Sequence, residues 1–101
     1  MITANSRPIH VKVNAVSMLG DLIGGSTCIV LDRGGTVGDL INKLDEEYGT
    51  AYSKNMAENL KDSIMKRFNL LVNGKVIRPQ DIDRTLNDGD EILFFHFAAG
   101  G

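Results

Sequence analysis

The sequence predicts an α+β domain: a sheet of four to five strands, one main helix on one face and a second, short helix. Three observations carry this. Ile9, Val11 and Val13 alternate with His10, Lys12 and Asn14, the period of a half-buried strand. Val37, Leu40, Ile41, Leu44 and Tyr48 recur at helical spacing. Asn73-Gly74 separates two apolar runs and is the dipeptide that takes the positive φ values of a type I′ hairpin turn.

In chain order, residues 1–8 are polar and expected to form a loose arm. The strand from Ile9 continues less cleanly through Val16 and Met18. Leu19 to Ser26 holds three glycines and reads as a turn-rich connection. Thr27 to Leu31 is a second strand, so 9–31 should form a hairpin. Thr36 with Asp39 three residues on matches a capping pattern, and Gly49 suits a left-handed cap at the end of that helix. Asn55 with Glu58 could cap the second helix, with Met56, Leu60, Ile64 and Phe68 at four-residue steps. Leu70–Val72 and Lys75–Ile77 form the Asn-Gly hairpin. Asp81 to Asp90 is a polar connection anchored by Leu86 and closed by a turn at 87–90. Glu91 to Phe97 is the last strand.

Composition narrows the functional classes. One domain of 101 residues can bury a modest core, and a 43% hydrophobic, 24% charged chain is ordinary for a globular protein. A net charge of -2 argues against a nucleic-acid binder, which normally shows a basic face. No apolar run approaches the ~18 residues of a membrane span, and the first eight residues lack the core of a secretory signal. The expectation is a cytoplasmic protein that engages neither nucleic acid nor membrane. Cys28 is the only cysteine, so neither a disulfide framework nor a thiolate metal cluster is expected.

The end of the chain is the most informative stretch. Along the last strand Ile92, Phe94 and His96 point one way and Leu93, Phe95 and Phe97 the other. One set can pack under the helix; the other then leaves an apolar patch of the kind that marks an interaction surface. The chain closes on Ala98-Ala99-Gly100-Gly101. Terminal glycines by themselves are usually a frayed end. Without side chains, however, they can thread a narrow channel and leave the carboxylate uncrowded.

The stretch Gly89-Asp90-Glu91-Ile92-Leu93-Phe94-Phe95 and the terminal Gly100-Gly101 resemble the signature of the MoaD/ThiS family of ubiquitin-like β-grasp sulfur carriers. Gly35-Thr36-Val37-Gly38-Asp39-Leu40, the hairpin Val72-Asn73-Gly74-Lys75 and Leu86 are similar to the same family. In length and final strand the chain looks closest to the small subunit of molybdopterin synthase. It departs from that subunit in carrying His96-Phe97 where two prolines usually follow the strand.

The resemblance implies a single β-grasp domain over 1–101, with 98–101 as a flexible tail. It implies a carrier rather than an enzyme, with no catalytic residues, no stably bound cofactor and no metal. An E1-like adenylyltransferase would use ATP to activate Gly101, a persulfide donor would supply sulfur, and a synthase subunit would accept it from the thiocarboxylate. Ala98, Ala99 and Gly100 would thread the partner's active site; four extended residues reach ~13 Å. Leu71, Leu93, Phe95 and Phe97 would form the partner-binding patch. The alternatives are a protein modifier joined through Gly101, or a carrier for thiamine, amino acid or tRNA thiolation.

Other residues carry less. Cys28, with no cationic neighbour in sequence, is expected to be a small buried strand residue. His10 and His96 sit in strands without a nearby carboxylate or Cys. Gly34-Gly35 lacks the Lys-Ser/Thr of a phosphate loop. Glu46-Glu47 reads as a solvated helix face.

Overall fold

The computed structural model describes residues 7–78 and 80–95. Five strands form one sheet: β1 (Ile9–Ala15), β2 (Ser26–Leu31), β3 (Asn69–Val72), β4 (Lys75–Ile77) and β5 (Glu91–Phe95). Three helices, α1 (Ser17–Ile23), α2 (Val37–Met56) and α3 (Leu60–Arg67), lie between them. The strand order is β2-β1-β5-β3-β4. β1 and β5 run parallel, and the other three pairs are antiparallel. The sheet is therefore mixed, with its first and last strands side by side near the centre.

The alternation that marks β1 in sequence is the alternation of burial. Ile9, Val11 and Val13 are buried, while His10 and Lys12 are exposed. Ile92 and Phe94 of β5 and Leu70 and Val72 of β3 face the same core. From the helical side Leu40, Ile41 and Leu44 enter it, as do Leu60 and Ile64. Each such aliphatic side chain contributes roughly 1.5–3 kcal/mol by leaving water.

Local signals account for several boundaries. The Thr36 hydroxyl accepts from Asp39 N–H, and the Asp39 carboxylate accepts from Thr36 N–H, a reciprocal capping box. Asn73 at φ 51 and Gly74 at φ 87 form the turn between β3 and β4. The 80–90 segment has no strand of its own, yet it is firmly held. Leu86 is buried, and Leu86 N–H donates to Gly35 O at 2.8 Å. Val37 N–H donates to Arg84 O and Gly38 N–H to Ile82 O, each at 2.9 Å. These carbonyls take donors that the first turn of α2 leaves unpaired.

Four expectations give way. The glycine-rich connection at 19–26 is largely a helix, α1, and β1 stops at Ala15. Its glycines have separate roles: a Cβ on Gly20 would lie 2.5 Å from Ala15 O, whereas Gly24 supplies the left-handed cap at φ 75. Gly49 does not end α2, which runs seven residues further to Met56. Tyr52, buried one turn after Tyr48, extends the apolar stripe, and Ala57 at φ 55 supplies the cap. Asn55 lies inside α2 with its Nδ2 donating to Ala51 O; Asn59 is the cap of α3, accepting from Asp62 N–H. Met56 is correspondingly exposed rather than packed, while Leu60, Ile64 and Phe68 are buried. Finally, Cys28 is exposed, because Ile29 and Leu31 set the inward register of β2.

Candidate functional site

The helices cover one face of the sheet. On the other face, the register aligns side chains across four strands. Leu93 of β5 sits opposite Asn14 on one side and Leu71 on the other, and Leu71 sits opposite Val76. Directly opposed residues share a face. Val76, Leu71 and Leu93 thus form a row, and Phe95, opposite Asn69, lies one step further along β5. Leu71, Leu93 and Phe95 are half-buried and Val76 is 62% exposed. Their strand neighbours Leu70, Ile92 and Phe94 are buried. Val16, 41% exposed, adds apolar surface beside β5; its N–H donates to Phe94 O at 3.3 Å.

One side of this row is polar and tightly tied. Asn14 Nδ2 donates to Glu91 Oε2 at 2.9 Å, and Lys12 Nζ stands 3.9 Å from the same oxygen. Asn73 Oδ1 accepts from Glu91 N–H, and Asn73 Nδ2 donates to Asp90 Oδ1, both at 2.9 Å. The two hairpin-turn and strand-entry segments around β5 are thereby fixed to one another. Asn14, Leu71, Asn73, Gly74, Glu91 and Leu93 line a shallow depression between apolar row and polar frame. Such a surface suits a protein partner: an apolar centre that loses water on contact, edged by groups that orient it.

Sequence reading singles out Leu71, Leu93 and Phe95, and the structure brings these three together. Phe97, the tail residues Ala98, Ala99 and Gly100, and the terminal Gly101 lie outside the described residues, as does His96. Sequence reading misses Val76 and Val16. The signal for Val76 was available, since a two-residue turn at 73–74 pairs 71 with 76. Val16 carried no comparable signal, because its exposure follows from α1.

A further group emerges at the opposite end of β1. His10 does have a carboxylate partner, 78 residues away: Asp88 Oδ1 accepts from His10 N–H at 2.7 Å and lies 3.4 Å from its Nδ1. The backbone donor, then the ring, holds the Asp88 carboxyl below its ordinary value of 3.8. Both side chains are well exposed, so the pair fastens a turn rather than forming a sheltered catalytic dyad. Among the described residues no cluster of three His, Cys, Asp or Glu could hold a metal, and no helix is long and apolar enough to cross a membrane.

The topology has clear relatives. The crystal structure of small archaeal modifier protein 1 from Haloferax volcanii superposes with a TM-score of 0.66 at 20% identity, over 89% of this chain and 99% of that one. A putative molybdopterin converting factor, subunit 1, from Pyrococcus furiosus gives 0.61 at 22% identity, over 89% and 99%. The ubiquitin-like domain of an Arabidopsis thaliana protein gives 0.54 at 22% identity, over 98% and 87%. These likenesses define the fold class as a ubiquitin-like β-grasp. Comparison with curated protein sequences gave no match. The sequence model of the ThiS family matches residues 11–101, and the chain belongs to that family of ubiquitin-like sulfur carriers and modifiers.

Proposed function

We propose that this chain is a sulfur carrier whose Gly101 carboxyl becomes a thiocarboxylate, with molybdopterin-type cofactor biosynthesis as its destination. The observation that carries the reading is the reach of the family match, which extends from β1 to Gly101 and so includes the tail. In this reading the protein is a co-substrate and does not itself catalyse.

The chemistry follows from the weakness of a carboxylate as an electrophile. A Gly101 carboxylate oxygen attacks the α-phosphorus of ATP on an E1-like partner, and pyrophosphate leaves. The terminal sulfur of a donor persulfide then attacks the acyl carbon, and AMP leaves. A second thiol reduces the resulting acyl disulfide and frees the thiocarboxylate. Glycine at 100 and 101 keeps Cβ atoms away from the acyl carbon, and alanine at 98 and 99 is the next smallest choice. ATP serves the activating partner and need not stay bound to the carrier. The row Leu71, Leu93 and Phe95 is the surface by which the E1-like enzyme and the sulfur-accepting synthase subunit would hold the body, and Phe97, outside the described residues, is assigned to the same contact from the sequence alone.

Activation has a direct assay. The full chain, its E1-like enzyme and labelled pyrophosphate should exchange label into ATP, and a chain lacking Gly100-Gly101 should not. Equal exchange without the two glycines contradicts the proposal. The second reading, a protein modifier, shares the activation step and is favoured by the fold likeness to an archaeal modifier protein. It requires Gly101-linked isopeptide adducts on target lysines, which the carrier reading does not.

A further inference from the structure

The entry to β1 (residues 7–9), the turn between β2 and α2, and the 85–88 segment meet around a cavity of about 440 Å³. It lies at the end of β1 opposite the one from which β5 leads on to the tail, since β1 and β5 run parallel. Its walls are held by the fold. Leu86 and Ile9, which line the cavity, are buried. Gly89 N–H donates to His10 O at 2.8 Å, and Thr36 pairs with Thr85 in an isolated bridge. The cavity is therefore a fixed concavity and not a gap between loose loops.

Its polar lining is dominated by donors. Arg7 and Arg33 both border it, with Thr85 and Asn87. Among the described residues none of these four side chains has a hydrogen-bond or ion-pair partner. The single carboxylate in the lining, Asp88, is already engaged by the backbone and ring of His10. Two guanidinium groups carry five N–H donors each. They outnumber what one carboxylate ligand could accept and suit the several oxygens of a phosphate.

We propose that this cavity binds a phosphate group carried by a small molecule, with Arg7 and Arg33 as its charged donors. The body of that molecule would rest on the apolar floor made by Pro8, Ile9 and Leu86. The site is independent of the sulfur-carrier reading, because it uses neither the tail nor the open sheet face.

The test is a titration of the full, isotopically labelled chain with inorganic phosphate, followed by amide chemical shifts at constant ionic strength. Saturable shifts are expected at Arg33, Gly34, Asn87 and Asp88, with those of Leu71 and Leu93 unmoved. The Arg7→Gln/Arg33→Gln variant should keep its spectral dispersion and bind phosphate at least about tenfold more weakly, the loss of one or more charged hydrogen bonds. Shifts that rise linearly, that chloride reproduces, or that survive in the double variant overturn the site. Acetate binding as tightly as phosphate overturns the assignment to phosphate. Retention of the Gly100-Gly101-dependent pyrophosphate exchange in the double variant is expected and separates the two functions.

Discussion

Leu93 and Phe94 are neighbours on β5 with opposite tasks. Phe94 is fully buried, and truncating it to alanine should remove about 3–5 kcal/mol, a large share of the ~5–15 kcal/mol that holds a domain of this size. Denaturant unfolding reads this directly. Leu93 and Phe95 are half-buried on the open face. Leu93→Arg or Phe95→Arg should change stability by about 1 kcal/mol or less. Either should weaken capture by the E1-like enzyme at least about tenfold. A Phe95→Arg chain that unfolds would place Phe95 in the core and remove it from the partner surface. Asp88 makes a different prediction. Its folded carboxyl titrates below 3.8, so its ionised form stabilises the fold above that value. The contribution is lost as pH falls from 3.8 through the lowered folded value. Asp88→Asn should therefore be less stable than the parent at neutral pH, and the two unfolding curves should converge in strong acid.

At the scale of elements, glycines test the local packing. Gly20 lies within α1 and Gly24 caps it, and the two positions need glycine for different reasons. Gly24→Ala should cost about 1–2 kcal/mol, the penalty of left-handed backbone with open space around it. Gly20→Ala should cost more, because its Cβ would press on the backbone oxygen of Ala15. Thermal unfolding of the two variants should rank them in that order. The same helix shows why some elements were legible and others were not. The Thr36–Asp39 cap and the Asn73-Gly74 turn are written in residues a few positions apart, and both form as read. α1 is only seven residues long and three glycines fall in the stretch that contains it, so its apolar spacing was obscured by one residue kept for close approach, Gly20, and two kept for left-handed backbone, Gly24 and Gly25. Gly49 looked like a stop for a similar reason. Buried inside α2 beside Asp45, it is decided by tertiary packing that no local pattern records.

For the molecule as a whole, the decisive contact is the longest-range one. β1 and β5 are separated by most of the chain and run parallel, with Val13 opposite Ile92 and Ala15 opposite Phe94. The sequence contained both strands and the two-faced character of the second, but nothing local dictated their adjacency or direction. The open face was partly legible for this reason. Alternation separated Leu93 and Phe95 from Ile92 and Phe94, whereas the row reaching Val76 needed the register of three strands. The His10–Asp88 link and the cavity beside it could not be read, since each joins the two ends of the fold. The architecture places the apolar row and the approach to the tail along the same strand, β5. In the proposed function, a partner that grips Leu93 and Phe95 would hold the strand whose last residue, Phe95, precedes Gly101 by six residues in sequence. The measurement that tests this account most directly is the intact mass of the full chain after co-expression with its E1-like enzyme and a persulfide donor. A gain matching exchange of one oxygen for sulfur, located at Gly101 and abolished when the last two glycines are deleted, is the predicted result; a Gly101 that remains a plain carboxylate under those conditions contradicts it.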